Sequence, residues 1–329
     1  MNNSNNNIVI LGHGIGVKFV IDSLLLYKNS EYKVSAIITH PFHLHKEDLE
    51  MMKNRKDIYG DCAYNIFNAT DDYGIPVYES EDVNSTESIE IIRKINPKYI
   101  ISIGCRNILK KEFLSIFKNK VFNVHTAPLP EYRGAANDSW MILNGLWGTE
   151  QYGCAHYIDT GIDTGDIIAK CFYKIPNLSY PIDVFKARMN TYKYLLPLAL
   201  DNLNNPEFIP EKQDYEKSTF FPRLKTVVDG RINFAEFTGV ELLKFIYAFS
   251  YPYDGAHCYL DDLKINILEC EFIPGDGFHK FTTGIIIGKD KNKNYKIALR
   301  DGVLLIKKIE VDKQQIPQNK IFKLGKRLT

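Results

Sequence analysis

Three aspartates and two copies of Asp-Thr-Gly share one short stretch, "HYIDTGIDTGD", residues 156–166. Three chemistries are open to Asp159, Asp163 and Asp166. Asp-Thr-Gly is the loop of aspartic proteases, several carboxylates in a loop can hold a cation, and one carboxylate can tune a histidine elsewhere. Protease chemistry needs two carboxylates about 3 Å apart that share one proton, each usually from its own lobe. Here both copies lie in one turn and no further copy occurs in the chain. A calcium loop fits poorly, because the spacing lacks the alternate-residue ligands and terminal glutamate of an EF-hand. What survives is a carboxylate aimed at an imidazole.

A candidate imidazole lies in "VFNVHTAPLPEYRG". Asn123 and His125 are two residues apart on a strand-like run, so both side chains point to one face. An amide donor suits an oxyanion, and a histidine moves protons near neutral pH. The bland alternative is a satisfied core histidine beside a structural turn. The turn "PLPEYRG" would then present Tyr132, Arg133 and Gly134 to a ligand's ring and phosphates. Near the start, "LGHGIG" places Gly12, His13 and Gly14 at a strand-to-helix turn. Its backbone amides either receive a phosphate or make a plain tight turn. A nicotinamide site is not supported: Val17 stands where the third glycine of G-x-G-x-x-G is needed, and the second strand ends in Thr39-His40 rather than an acid. His40, His43 and His45 in "HPFHLHKED" lack the cysteine or paired carboxylate that frames a metal centre, so they read as a solvated loop and no metal site is expected.

These residues need a scaffold, and the pattern supplies one. Short apolar runs ("NIVILG", "YKVSAIITH", "GIPVYES", "KYIISIG", "VFNVH") alternate with amphipathic runs, which predicts an α/β fold: a Rossmann-like, mostly parallel sheet with helices on both faces. "NSTESIEIIRKINP" predicts a helix capped by Asn84 with Glu87 in support and stopped at Pro97. "YGCAHYID" and "GDIIAKCFYKI" look like a closing strand pair, followed by one long helix over residues 183–203. A parallel sheet that places Asn123 and His125 at its carboxyl edge puts them where α/β proteins bind ligands. Residues 204–222 are proline-bearing and polar and read as a connector. Beyond them "GRINF", "HCYLDDLKINILECEF", "TTGIIIGKD" and "NYKIALRDGVLLIKKIEV" predict short strands after one helix, "GVELLKFIYAF". The expected domains are a catalytic domain over 1–205, a linker over 206–222 and a smaller β-rich, OB-like domain over 223–329.

The chain has 329 residues, 45% hydrophobic and 25% charged, as an ordinary soluble globular protein has. Its 41 basic and 40 acidic side chains leave a formal charge of +1, which gives no general pull toward nucleic acid or acidic membranes. "MNNSNNN" is no signal peptide, and no run is apolar and long enough to span a membrane. Cys62, Cys105, Cys154, Cys171, Cys258 and Cys270 lie far apart, which predicts reduced, mostly buried thiols and a cytoplasmic location.

Asn-x-His in "FNVH", the "LPEYRG" turn and "GIDTGDII" after a strand stand in the same order as in the folate-dependent formyltransferases. The chain resembles that family, which includes the methionyl-tRNA and the sugar nucleotide N-formyltransferases. The resemblance spans nearly the whole chain and is strongest over residues 96–175. It implies a catalytic trio of Asn123, His125 and Asp163, with Asp159 shaping the loop. It implies 10-formyltetrahydrofolate as co-substrate, held by Asn107, Ile108 and Leu109, by Ala127, Pro128, Leu129 and Pro130, and by Asp159, Thr160, Gly161, Ile162 and Asp163. One departure stands out. The family commonly has Ser-Leu-Leu-Pro where this chain has Ala127-Pro128-Leu129-Pro130. "APLPEYRG" and "HYIDTGIDTGDII" look more like the sugar enzymes, so the expected partner is a nucleotide-linked amino sugar rather than a nucleic acid. A dTDP-amino-dideoxyhexose destined for surface polysaccharide is the sharpest form of that expectation. Formylation of methionyl-tRNA and a non-catalytic folate- or nucleotide-binding protein are the alternatives, and a homodimer is left open.

Overall fold

The computed structural model describes residues 6–27, 32–44 and 66–329. Two compact units account for them: Met1–Gly134, Glu150–Lys174 and Lys186–Phe221 form one, and Ala135–Thr149, Ile175–Phe185 and Pro222–Thr329 the other. His45 and Cys62 lie outside the described residues.

The first unit is built on a seven-stranded sheet. Its strands are β1 (Asn7–Gly12), β2 (Lys33–Thr39), β3 (Val77–Glu79), β4 (Tyr99–Ile103), β5 (Val121–His125), β7 (Glu150–Tyr157) and β8 (Ile167–Lys174), in the order β3-β2-β1-β4-β5-β7-β8. The first five run parallel, and β7 and β8 run antiparallel to close the edge. Ile8, Val9, Ile10, Ile37, Ile100, Ile101 and Phe122 have no exposed surface, which explains the unbroken apolar runs: strands covered on both faces need no polar side. Strand order reverses beside β1, so the carboxyl ends of β1, β4 and β5 meet at the crevice where such sheets take ligands. Gly12 is required there, since a Cβ would lie 2.0 Å from the Ile103 carbonyl oxygen.

Several local expectations change. The helix Thr86–Ile95 is capped by Ser85, whose Oγ accepts the Ser88 N–H at 3.2 Å. Asn84 is drawn away instead: its Nδ2 donates to Ile108 O at 3.1 Å and its Oδ1 accepts Lys110 N–H at 2.8 Å. The long helix is two helices, Pro181–Met189 and Tyr192–Asn204, parted at Thr191, whose hydroxyl satisfies the Arg188 carbonyl at 2.7 Å. Residues 206–221, expected to be a connector, belong to the fold of the first unit. Ile167 and Glu211 exchange backbone hydrogen bonds, and β9 (Phe220–Phe221) pairs in parallel with β6 (Arg133–Gly134). The close approach demands Gly134, where φ is +95° and a Cβ would sit 2.2 Å from Phe221 O.

The second unit carries an antiparallel sheet of β10 (Ala256–Leu260), β11 (Leu263–Pro274), β14 (Gly302–Val311), β13 (Tyr295–Leu299) and β12 (Ile286–Lys289), with β15 (Gln314–Gln315) paired to β14. "GRINF" is not a strand; only Arg231 bridges to His257. The helix Gly239–Ala248 opens with a full capping box, Thr238 and Glu241 satisfying each other's backbone N–H. Residues 135–149 and 175–185 join this unit: Ser139 Oγ donates to Ala248 O at 2.7 Å, and Tyr180 stacks on Tyr247 at 4.8 Å. No described helix is long and apolar enough to cross a membrane.

Candidate active site

β5 and β7 set the register of the site. Asn123 lies opposite His156, and His125 lies opposite Cys154. Asn123 and His125 share a face, as residues two apart on a strand must. Asn123 Nδ2 is 3.2 Å from His156 Nε2. His156, only 2% exposed, places Nδ1 2.8 Å from Tyr157 O. A carbonyl can only accept, so Nδ1 carries the proton there. Nε2 then sits between the Asn123 amide and Asp163 Oδ1, which is 3.5 Å away. The same logic assigns His125. Its Nε2 is 2.7 Å from Tyr132 O and must donate, which turns Nδ1 toward Asp163 Oδ2 at 3.7 Å.

Asp163 therefore stands between two imidazoles. Gly134 N donates to its Oδ2 at 2.9 Å, and its backbone adopts the left-handed conformation, φ +54°. Burial alone would raise its pKa. The two histidines and the Gly134 amide outweigh burial and hold the carboxyl well below the ordinary range. His125 goes the other way. Burial pushes its pKa below the ordinary 6.5, and His156 adds to that, although Asp163 opposes both. Desolvation wins, so His125 rests neutral at physiological pH with a lone pair on Nδ1. Asn123 has a second amide hydrogen beyond the one facing His156. The arrangement is a proton acceptor, a fixed negative charge and a neutral donor around one spot, as acyl-type transfer to an amine requires. Burial pushes the Cys105 thiol up to about 11 and also raises that of Cys154, which lies opposite His125, so neither is primed as a nucleophile.

The other two aspartates make different contacts. Asp159 Oδ1 accepts Gly161 N–H at 2.9 Å and the Thr164 hydroxyl, which shapes the turn. Asp166 faces outward to Lys212 at 2.7 Å. The segments expected to hold a folate differ in what they expose. Thr160, Gly161 and Ile162 are exposed, as is Ile108 at 63%. Leu109 is buried in a core cluster on which Cys105 and Ile158 also pack. Asn107 is committed to the neighbouring turn, accepting Val83 N–H at 3.2 Å and donating to Glu81 O at 3.0 Å. Ala127, Pro128, Leu129 and Pro130 are buried, and all four of their carbonyls are taken: Ala127 O by Cys154 Sγ, Pro128 O by Tyr132 N, Leu129 O by Tyr152 Oη, and Pro130 O by Thr219 N.

Tyr132 and Arg133 need correction. They are turned inward, Tyr132 stacking on Phe221 at 5.1 Å and Arg133 only 7% exposed. The Arg133 guanidinium bonds Gln213 and lies 5.2 Å over the Tyr215 ring, because a buried cation must find partners. Gly134 serves Asp163 rather than a ligand. At the other turn, His13 Nδ1 donates to Gly104 O at 2.7 Å, its ring lies edge-on to His40 at 4.4 Å, and Gly14 caps the helix Ile15–Leu26. Among the described residues no three His, Cys, Asp or Glu side chains are grouped to hold a metal ion. Two residues of the site were missed: His156 and Gln213. His156 had a signal, a lone histidine in an apolar strand. Gln213, in a polar irregular stretch, had none.

Comparison with known proteins agrees with this geometry. Residues 6–191 match the model of the formyl transferase family, and residues 225–325 match its C-terminal domain. A methionyl-tRNA formyltransferase of Clostridium tetani is 32% identical over 226 residues, 68% of this chain and 70% of that protein. One from Rickettsia bellii is 28% identical over 299 residues, 91% of each. The fold also matches an N-formyltransferase from Helicobacter canadensis, solved with folinic acid and dTDP-3-aminofucose, with TM-score 0.63, 20% identity, and 94% of this chain and 99% of that one covered. The extent of the family match, together with an Asn, a His and an Asp assembled at one sheet edge, leads to one conclusion: this chain belongs to the formyl transferase family.

Proposed function

We propose that the chain transfers the formyl group of 10-formyltetrahydrofolate to the amino group of a nucleotide-linked amino-deoxysugar, a dTDP-amino-dideoxyhexose for surface polysaccharide, in the cytoplasm. The observation that carries the reaction is Asp163 between His125 and His156, with Asn123 alongside. The amine nitrogen attacks the formyl carbon and its proton passes to His125 Nδ1. The oxyanion that forms meets the second Asn123 N–H, and Asp163 stabilises the imidazolium. The bond from the formyl carbon to N10 of the folate then breaks, and the proton returns to that nitrogen. The co-substrate supplies the activated formyl group. The exposed Ile108 and Ile162 offer it apolar surface.

The sugar is supported by the Helicobacter canadensis match and by the even charge balance of +1, which gives no broad footprint for tRNA phosphates. The curated relatives named above favour a second reading, formylation of methionyl-tRNA. A mass-resolved assay of dTDP-, UDP- and GDP-amino sugars with 10-formyltetrahydrofolate separates them. A formyl gain on one sugar supports the proposal. No gain on any, with a salt-sensitive gel shift and formylation of initiator methionyl-tRNA, replaces it by the second reading. Folate binding without transfer to either class would mark a binding protein.

A further inference from the structure

Gln213 belongs to residues 206–221, where the only regular structure is a single 3-10 turn, Tyr215–Lys217, and the short β9. Its side chain is nonetheless buried, at 6% exposure. Oε1 accepts from Arg133 Nε at 3.2 Å and Nη2 at 2.7 Å, while Nε2 donates to Asp163 O at 2.9 Å and Gly165 O at 2.7 Å. Two acceptances and two donations exhaust what a primary amide can do. The orientation is forced, since guanidinium hydrogens need an acceptor and carbonyl oxygens need donors. No other residue type matches both ends. Glutamate would bring a carboxylate against two carbonyls, and a shorter asparagine would not span them.

The two carbonyls belong to the residues whose geometry the chemistry depends on. Asp163 holds a left-handed backbone at φ +54°, a conformation that few residues other than glycine, asparagine and aspartate adopt. Its carboxylate is gripped by Gly134 N–H, and the residue before Gly134 is Arg133. One dipeptide thus reaches Asp163 at both ends: Gly134 directly at the carboxylate, Arg133 through Gln213 at the backbone. Arg133 is itself anchored, its N–H donating to Thr219 O at 3.1 Å and its guanidinium lying over Tyr215. A loop with exposed residues at 159–162 is in this way pinned at 163–165 by buried, fully satisfied polar groups.

We infer that Gln213 is a positioning residue for the transfer reaction, latching the Asp163 loop so that its carboxylate faces His125 and His156. The inference rests on the reading of Asp163 as the partner of His125. It extends the site into a segment with no catalytic motif. Gln213 touches no reacting atom; it acts only through Asp163.

The test uses the full chain with two substitutions. Gln213→Glu keeps a partner for Arg133 and removes both donors to the loop. Gln213→Met keeps the volume and removes all four bonds. Single-turnover formyl transfer is measured beside the NMR titration of the His125 ring and a thermal melt. The latch predicts a fall in the transfer rate on the order of 10²-fold for both, as a misplaced catalytic group gives, with the KM for the amine substrate within about twofold. It also predicts that His125 titrates lower than in the wild type, as it does in Asp163→Asn, because the opposing carboxylate has moved. A lower rate with unchanged His125 titration in a folded variant overturns the latch, and so does a wild-type rate. If one variant fails to fold, the other decides. If both fail, Gln213 is a folding residue and the inference falls. Asp163→Asn run in parallel keeps the two readings apart: full turnover there sinks the site assignment itself, whatever Gln213 does.

Discussion

The candidate active site is assembled from two regions held in different ways. Asn123, His125 and His156 ride on β5 and β7, whose antiparallel register pairs Phe122 with Tyr157, Asn123 with His156, Val124 with Ala155, and His125 with Cys154. Asp163 rides on a loop, where its place depends on the Gly134 amide and the Gln213 side chain. Strand residues are over-determined, so replacing one should remove its chemistry and leave its neighbours in place. Loop geometry depends on a few named bonds, so it can be lost by a change that touches no reacting atom.

The largest expected effect is on the strand side. His125→Asn should lower single-turnover transfer by about 10³-fold, the scale of a general base, with both substrates still bound by calorimetry. Near wild-type rates would place the proton acceptor elsewhere. Asp163→Asn follows, with a loss of about 10²- to 10³-fold, and it should also lower the pH at which His125 titrates by NMR. The sign is set by the structure. Burial holds the His125 pKa below 6.5, with His156 and Arg188 adding to the lowering, while Asp163 and the bond to the Tyr132 carbonyl oppose it.

Smaller effects sharpen the contrast. His156→Gln keeps an amide beside Asn123 and loses the ring that faces Asp163, and a fall of about tenfold is expected in the same assay. A pH series of thermal melts tests burial directly. From pH 6.5 down to the folded value of His125, the unfolded chain binds a proton that the folded chain does not, so stability should fall as pH falls through that window. Asp163, depressed from 3.8, contributes stability present above 3.8 and lost only as pH falls further. The smallest effect belongs to Asp166→Asn. That carboxylate meets only the exposed Lys212 of the groups around it in the site, and turnover within about twofold of wild type is expected. A loss as large as that of Asp163→Asn would reverse the roles within the loop.

What could be read in advance follows the same division. The period-2 and apolar patterns locate β1, β2, β4 and β5, and the two-residue spacing places Asn123 beside His125, because strand geometry converts spacing into direction. Asp163 was reached through resemblance, since nothing in loop spacing says which of three carboxylates turns inward. Arg133 was misread because a cation in a turn looks exposed until its partners are known, and those partners lie about eighty positions along the chain. Ser85 took the cap from Asn84 because Asn84 had a distant obligation at residues 108 and 110. The resolved failures are long-range side-chain bonds, which leave no periodicity.

The pairing of β6 with β9 has a consequence for the order in which the enzyme becomes competent. Asn123, His125, His156 and Asp163 all leave the ribosome before residue 213, and the strand that anchors Arg133 ends only at Phe221. A nascent or recombinant chain stopped near residue 205 contains every side chain proposed to react and the Gly134 amide that holds the Asp163 carboxylate, but lacks Gln213 and its bonds to the Asp163 and Gly165 carbonyls. Such a fragment should be stable enough to display the sheet yet poor at turnover, and extending it through Phe221 should restore far more activity than sixteen residues without a catalytic motif suggest. Competence arrives with the tail of the unit, after the chemistry has been encoded.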